Sequence, residues 1–116
     1  MTVNDGVLIL SMIKSAYPAS FRGADENKIV DTAKEWALRF SNVPVKYVEM
    51  AVKRLIEKST FAPTIAEVKQ ELVGMVWDNR LWLSAHYHET YPLPEEELKE
   101  REELERVLGN ISPLIH

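Results

Sequence analysis

Apolar residues recur at helical spacing along most of this chain. The clearest case is the segment from about Asp25 to Ser41, where apolar side chains fall at i, i+1, i+4, i+7, i+8 and i+11. These side chains are Ile29, Val30, Ala33, Trp36, Ala37 and Phe40. That spacing places all of them on one face of a helix, and no segment shows the strict alternation typical of a half-buried strand. We therefore predict an all-α protein, a small helical bundle of about four to five helices with a C-terminal helical extension.

Prolines mark the ends of the other predicted helices. The first runs from about Asn4 to Tyr17 and stops before Pro18, because the residue that precedes a proline disfavours the helical conformation. The third begins near Pro44, only a few residues after the 25–41 helix, so the two are expected to pack as antiparallel neighbours. A fourth runs to about residue 91, and a fifth spans about 94–108.

The fourth helix carries the strongest local signal. In Thr64-Ile65-Ala66-Glu67 the threonine can cap the amide of Glu67, and the glutamate can reach back to the threonine amide, which is a capping box. Gly74 lies inside this helix and costs roughly 1 kcal/mol relative to alanine, so we expect a bend or break there. We accordingly predict a helical core domain over residues 1–73 and a C-terminal extension over 74–116, the probable partner-binding segment.

Composition limits the chemistry that the chain can perform. There are no cysteines among the 116 residues, which excludes disulfides, thiol catalysis and zinc sites that need a thiolate. The N-terminus lacks the basic region of a signal peptide. The longest unbroken apolar run, Val7–Leu10, is far shorter than the roughly 20 residues needed to cross a bilayer. We expect a cytoplasmic protein without a membrane partner.

No motif for catalysis, nucleotide binding or metal binding is found. The four glycines stand far apart and form no phosphate-binding loop. His86 and His88 are two residues apart and would point about 200° from each other on a helix, so they cannot chelate one ion together. The seven glutamates of residues 95–108 are best interpreted as a solvated helix face, although a catalytic carboxylate pair stays open. We predict no enzyme activity, no cofactor and no metal.

The net charge of −4 is confined to one segment. Residues 95–108 hold seven glutamates against three basic residues, which gives 3 − 7 = −4, and the remaining residues sum to zero. Proteins that bind nucleic acid directly usually present a basic patch. We therefore expect no direct binding to nucleic acid.

Aromatic and apolar residues concentrate in the C-terminal part without sharing one helix face. This pattern fits a helix packed on two sides or a protein-binding surface, since Trp and Tyr are enriched at interface hot spots. The apolar stripe at the chain end fits either docking on the protein's own core or binding in a partner's groove. The candidate partner-binding residues are Trp77, Trp82, Tyr87, Leu104, Leu108, Ile111, Leu114 and Ile115.

The segment Phe61-Ala62-Pro63-Thr64-Ile65-Ala66-Glu67-Val68 resembles a turn found in a family of small phage proteins that load and inhibit the DnaB-like replicative helicase. Two other features are similar to that family: the pair Tyr17-Pro18 at the end of the first helix, and Trp36 in the middle of the second. The resemblance covers roughly residues 5–73. It departs from the family at Ala62, where a second proline is most frequent, and it does not extend to the C-terminal part.

The resemblance implies a helical adaptor without ATPase activity. Such a protein holds the hexameric replicative helicase inactive in the host cytoplasm, hands it to an origin-bound initiator protein and then leaves. Two alternatives stay open: a non-enzymatic interaction protein of another phage process such as virion assembly, and a small DNA-binding replication or regulatory protein. The only recognition surface for DNA would be the third helix, with Lys46, Lys53, Arg54 and Lys58.

Overall fold

The computed structural model describes residues 1–86 and 95–109, and these residues form helices and turns without any strand. The five α-helices are α1 (Val3–Ala16), α2 (Glu26–Arg39), α3 (Val45–Lys58), α4 (Ile65–His86) and α5 (Glu95–Leu108). A short 3₁₀ helix, Pro18–Phe21, follows α1. The predicted all-α fold is therefore confirmed.

The helices pack around α1 and α4. α1 contacts both α2 and α3, α3 packs against α4, and α4 packs against α5. The prediction that α2 and α3 are antiparallel neighbours is wrong, since they do not form an extensive contact. Phe40 and Val43 in the turn between them are 0% and 1% exposed, so this turn is anchored in the core. α2 and α3 then each pack on α1, which is apolar around most of its circumference.

One hydrophobic cluster contains side chains from all five helices. Its helical members are Ile9, Leu10, Ile13, Ala33, Trp36, Tyr47, Val48, Ala51, Val52, Leu55, Val68, Leu72, Met75, Val76, Leu104 and Leu108. The cluster includes residues from both sides of position 73, so the N-terminal and C-terminal parts share a core. The functional division between 1–73 and 74–116 stays a prediction.

Gly74 does not interrupt α4. The helix continues through this position from Ile65 to His86, so the expected break is absent. Its neighbours Leu72, Met75 and Val76 are all at most 3% exposed. Burial of these side chains stabilises the helical conformation by more than the roughly 1 kcal/mol that the glycine costs.

Local hydrogen bonds fix the ends of the helices. The amide of Glu67 donates to Thr64 Oγ1 over 3.2 Å and the amide of Thr64 donates to Glu67 Oε1 over 3.1 Å, which confirms the capping box of α4. A second box joins Thr2 and Asp5 at the start of α1. The hydroxyl of Tyr17 donates to the carbonyl oxygen of Ser59 over 2.5 Å and thereby ties the end of α1 to the end of α3.

Candidate protein-binding surface

Trp77 and Leu81 form an exposed apolar patch on α4. They are 56% and 69% exposed and lie four residues apart, so their side chains are neighbours on one helix face. The guanidinium group of Arg80 lies 5.4 Å from the centroid of the Trp77 ring. We call Trp77 and Leu81 the α4 patch. Sequence reasoning singled out Trp77 but missed Leu81, whose i+4 spacing from Trp77 was the available signal.

Trp82 contacts α5. This side chain is only partly exposed, and the guanidinium group of Arg101 lies 4.9 Å from the centroid of its ring. A cation over an aromatic face is attracted by the ring quadrupole. In this conformation Trp82 therefore helps to join α4 to α5.

Leu104 and Leu108 lie in the hydrophobic core. They are 7% and 2% exposed and belong to the cluster that includes α3 and α4 side chains. Their spacing alone left open whether they dock on the protein itself or on a partner, and the structure places them against the protein's own body. The remaining candidates, Tyr87, Ile111, Leu114 and Ile115, lie outside the described residues.

Polar contacts also hold α5 in place. The Nδ2 of Asn79 donates to the carbonyl oxygen of Arg101 over 2.7 Å. The Nε of Arg80 lies 2.9 Å and 3.1 Å from the two carboxylate oxygens of Glu105. These contacts join α5 to α4, whose side chains Met75 and Leu83 are buried.

Lys46 and Glu103 connect the start of α3 to α5. The Lys46 Nζ lies 2.7 Å from Glu103 Oε1. This hydrogen bond lowers the pKa of Glu103 below its ordinary value and raises the pKa of Lys46 above its ordinary value. The buried neighbour Tyr47 has a raised phenol pKa, chiefly because burial disfavours the phenolate. Both members of the Lys46–Glu103 pair are therefore charged at neutral pH.

A cleft of about 630 Å³ opens between α3, α4 and α5. Its apolar lining is Tyr47, Met50, Met75 and Leu104, and its charged lining includes Lys46, Arg54, Asp78, Glu96, Glu97, Glu100, Arg101 and Glu103. Because basic and acidic side chains are interspersed around it, the cleft has no uniform charge that would favour an anionic or a cationic ligand.

The basic side chains of α3 are neutralised by carboxylates. Besides Lys46, these are Lys53 with Glu49 at 3.3 Å, Arg54 with Glu71 at 2.9 Å and Asp78 at 3.2 Å, and Lys58 with Glu71 at 2.8 Å. Phosphate contacts require cations that are available to replace counterions. The face on which a DNA-binding role would rest is thus committed to ion pairs within the protein.

Two further properties bear on the nature of the site. Within residues 1–86 and 95–109, no group of three or more His, Asp or Glu side chains is arranged to hold a metal ion. Among the helices in the described part of the chain, none combines the length and the apolar character that membrane crossing requires.

Comparison with known proteins identifies one family. The sequence model for the N-terminal domain of the gene 39 protein, a phage helicase loader and inhibitor, matches residues 1–69. The match spans α1, α2, α3 and the first turn of α4, and it contains every feature on which the resemblance rests, including Tyr17-Pro18, Trp36 and the turn before Thr64. No curated protein and no solved structure gives a significant match to the chain.

Proposed function

Since this chain belongs to the gene 39 protein family of phage helicase loaders and inhibitors, we propose that it binds the hexameric replicative helicase, inhibits it and helps to load it at the origin. The family match covers 69 of the 116 residues. Proteins of this family bind DnaB-like helicases. The chain would act in the host cytoplasm, where the helicase and the origin are found.

The proposed role is that of an adaptor and not of an enzyme. The sequence contains no nucleotide-binding loop, so any ATP used during loading would be hydrolysed by the helicase. Partner exchange, and not chemistry, would then release the helicase. An origin-bound initiator is the proposed second partner, with the N-terminal body positioning the complex or contacting the initiator.

The α4 patch is the observation that best supports a protein-binding role for the C-terminal part. A tryptophan that is 56% exposed next to a leucine that is 69% exposed presents apolar area to water. Burying such area against a partner is favourable at roughly 25 cal/mol per Å², and tryptophan is enriched among residues that dominate binding energy. The acidic face of α5 adds long-range attraction to a basic surface on the partner.

A capture experiment tests this assignment. The double variant Trp77→Ala/Leu81→Ala is mixed with a purified DnaB-like helicase from the phage's host, and binding and helicase ATPase activity are measured. We expect binding to weaken at least about tenfold and inhibition of the ATPase to decrease in parallel. Leu38→Ala is the matched control, because Leu38 on α2 is 70% exposed and lies outside the patch.

The contrary outcomes are clear. If the double variant binds like the unmodified protein, the α4 patch is not the contact. If the unmodified protein neither binds the helicase nor alters its activity, the function itself is different. The DNA-binding alternative predicts a salt-dependent affinity for duplex DNA, which the ion pairing of the α3 cations disfavours.

A further inference from the structure

A second apolar depression lies in the N-terminal part, away from the α4 patch. This groove, of about 320 Å³, lies between the 3₁₀ helix, the start of α2 and the turn that joins α3 to α4. Its floor is Leu10, Ile13 and Trp36, which are at most 5% exposed. Its walls include Phe21, Ile29 and Ala62, which are only partly buried and so present apolar area to solvent.

The charge at the rim of this groove has one sign. Arg22 and Lys28 line it and are exposed, and neither forms an ion pair within the described residues. No acidic side chain among the described residues lines the groove. The nearest carboxylate along the chain, Asp25, accepts a 2.8 Å hydrogen bond from the amide of Lys28 and serves as the cap of α2. This arrangement differs from α3, where the basic side chains are paired with carboxylates.

The backbone around the groove places both features together. Gly23 has a φ of +80°, a left-handed conformation that L-residues with a side chain rarely adopt, and it turns the chain between Arg22 and α2. On the other wall, Phe61 precedes Ala62 and is 81% exposed. Apolar surface therefore continues from the groove onto the turn, over a greater length than a compact small molecule needs.

We propose that this groove is a docking site for a short segment of a partner protein in which apolar side chains are flanked by carboxylates. Apolar side chains of the segment would enter the groove, and its carboxylates would pair with Arg22 and Lys28. Charge complementarity selects this occupant, because an unpaired cationic rim favours anionic partners and rejects basic ones. The chain's own acidic helix is already engaged, since α5 is held on α3 and α4 through Glu103 and Glu105.

The test uses the full-length protein labelled with ¹⁵N. The probe is an acetylated octapeptide built of leucine and glutamate, and the control probe has lysine in place of each glutamate. We expect the acidic peptide to shift the amide resonances of Phe21, Ile29 and Ala62, and the basic peptide to leave them in place. The double variant Arg22→Glu/Lys28→Glu should weaken binding at least tenfold. Lys34→Glu on the same helix is the matched control, since Lys34 is exposed but does not line the groove.

Several results would overturn the proposal. These are equal binding of the two peptides, shifts confined to residues outside the groove, no binding of the acidic peptide, or undiminished binding to the double variant. Sedimentation addresses the remaining occupant: a dimer that Arg22→Glu/Lys28→Glu dissociates would assign the groove to a second copy of this chain instead.

Discussion

The Nδ2 of Asn79 donates a 2.7 Å hydrogen bond to the carbonyl oxygen of Arg101, and this bond joins the side of α4 to the backbone of α5. Asn79 is completely buried, while its Oδ1 has no hydrogen-bond partner among the described residues. A buried polar atom without a partner costs free energy. The bond that Asn79 does make is directional, so it favours one position of α5 over others in an interface that apolar contacts alone would define loosely.

Two substitutions at position 79 separate these effects. Asn79→Ala removes the hydrogen bond and leaves a void, and we expect the free energy of unfolding to fall by about 1–3 kcal/mol. Asn79→Leu removes the same bond but fills the space and eliminates the unpaired Oδ1, so its loss should be smaller. Chemical unfolding followed by tryptophan fluorescence measures both. Equal losses for the two variants would contradict this account.

Sequence patterns predicted the helices because each pattern depends on nearby residues. The stripe of α2 and the Thr64–Glu67 capping box both involve residues within a few turns, and both are present in the structure. Which helices pack together depends on contacts between distant residues. For that reason the short α2–α3 connection was misleading: burial of Phe40 and Val43 in the turn determines the arrangement.

The binding surfaces were harder to predict, since periodicity shows that a face is apolar but not what covers it. Leu104 and Leu81 are both apolar residues on C-terminal helices, yet the first is 7% exposed and the second 69%. The groove lined by Phe21, Ile29 and Ala62 combines three separate elements. No spacing in the sequence brings these residues together.

Gly6 and Gly74 are predicted to respond oppositely to alanine. A Cβ at position 6 would overlap the backbone of Ala33, where α1 approaches α2 closely, whereas a Cβ at position 74 would meet nothing within 4 Å. Gly6→Ala should therefore destabilise the fold by about 1–3 kcal/mol. Gly74→Ala should stabilise it by about 0.5–1 kcal/mol, because alanine loses less backbone entropy in a helix. Thermal unfolding of the two variants is the measurement, and a stabilised Gly6→Ala would show that the α1–α2 approach is looser.

Thr64→Ala should lower the free energy of unfolding by about 0.5–2 kcal/mol, the usual effect of removing an N-cap. The variant loses the 3.2 Å bond from the amide of Glu67. Thr32→Ala is a matched control, since the Thr32 hydroxyl donates to the carbonyl of Lys28 inside α2 and caps nothing. The midpoints of urea unfolding report the difference. If the two variants lose the same stability, capping is not the function of Thr64.

The Lys46–Glu103 pair predicts a defined pH dependence for the attachment of α5. Because the pKa of Glu103 is lowered in the fold, its contribution is present at neutral pH and is lost as the pH falls through that lowered pKa. Because the pKa of Lys46 is raised, its contribution persists until the pH rises through that raised pKa. The pair therefore supports α5 between these limits and in neither acid nor strong alkali.

An NMR titration of the Glu103 carboxyl group checks this directly. In Lys46→Met its pKa should rise toward the ordinary glutamate value of about 4.3. Lys53→Met is the control, since Lys53 pairs with Glu49 on the same helix, and it should leave the titration of Glu103 unchanged. An unchanged Glu103 pKa in Lys46→Met would mean that the pair does not form in solution.

The last prediction distinguishes residues that hold α5 on the body from residues that contact the helicase. Leu104 and Leu108 are buried, so Leu104→Ala or Leu108→Ala should each cost about 2–5 kcal/mol of stability through lost burial and a residual cavity. Trp77→Ala and Leu81→Ala remove side chains that are already more than half exposed, so the fold should lose little. Binding to the helicase should show the reverse order when it is measured well below each variant's unfolding temperature. The α4 variants should then bind weakly while remaining folded. If instead Leu104→Ala abolishes capture while the protein stays folded, the helicase contacts Leu104 itself, and α5 must leave the core when the partner binds.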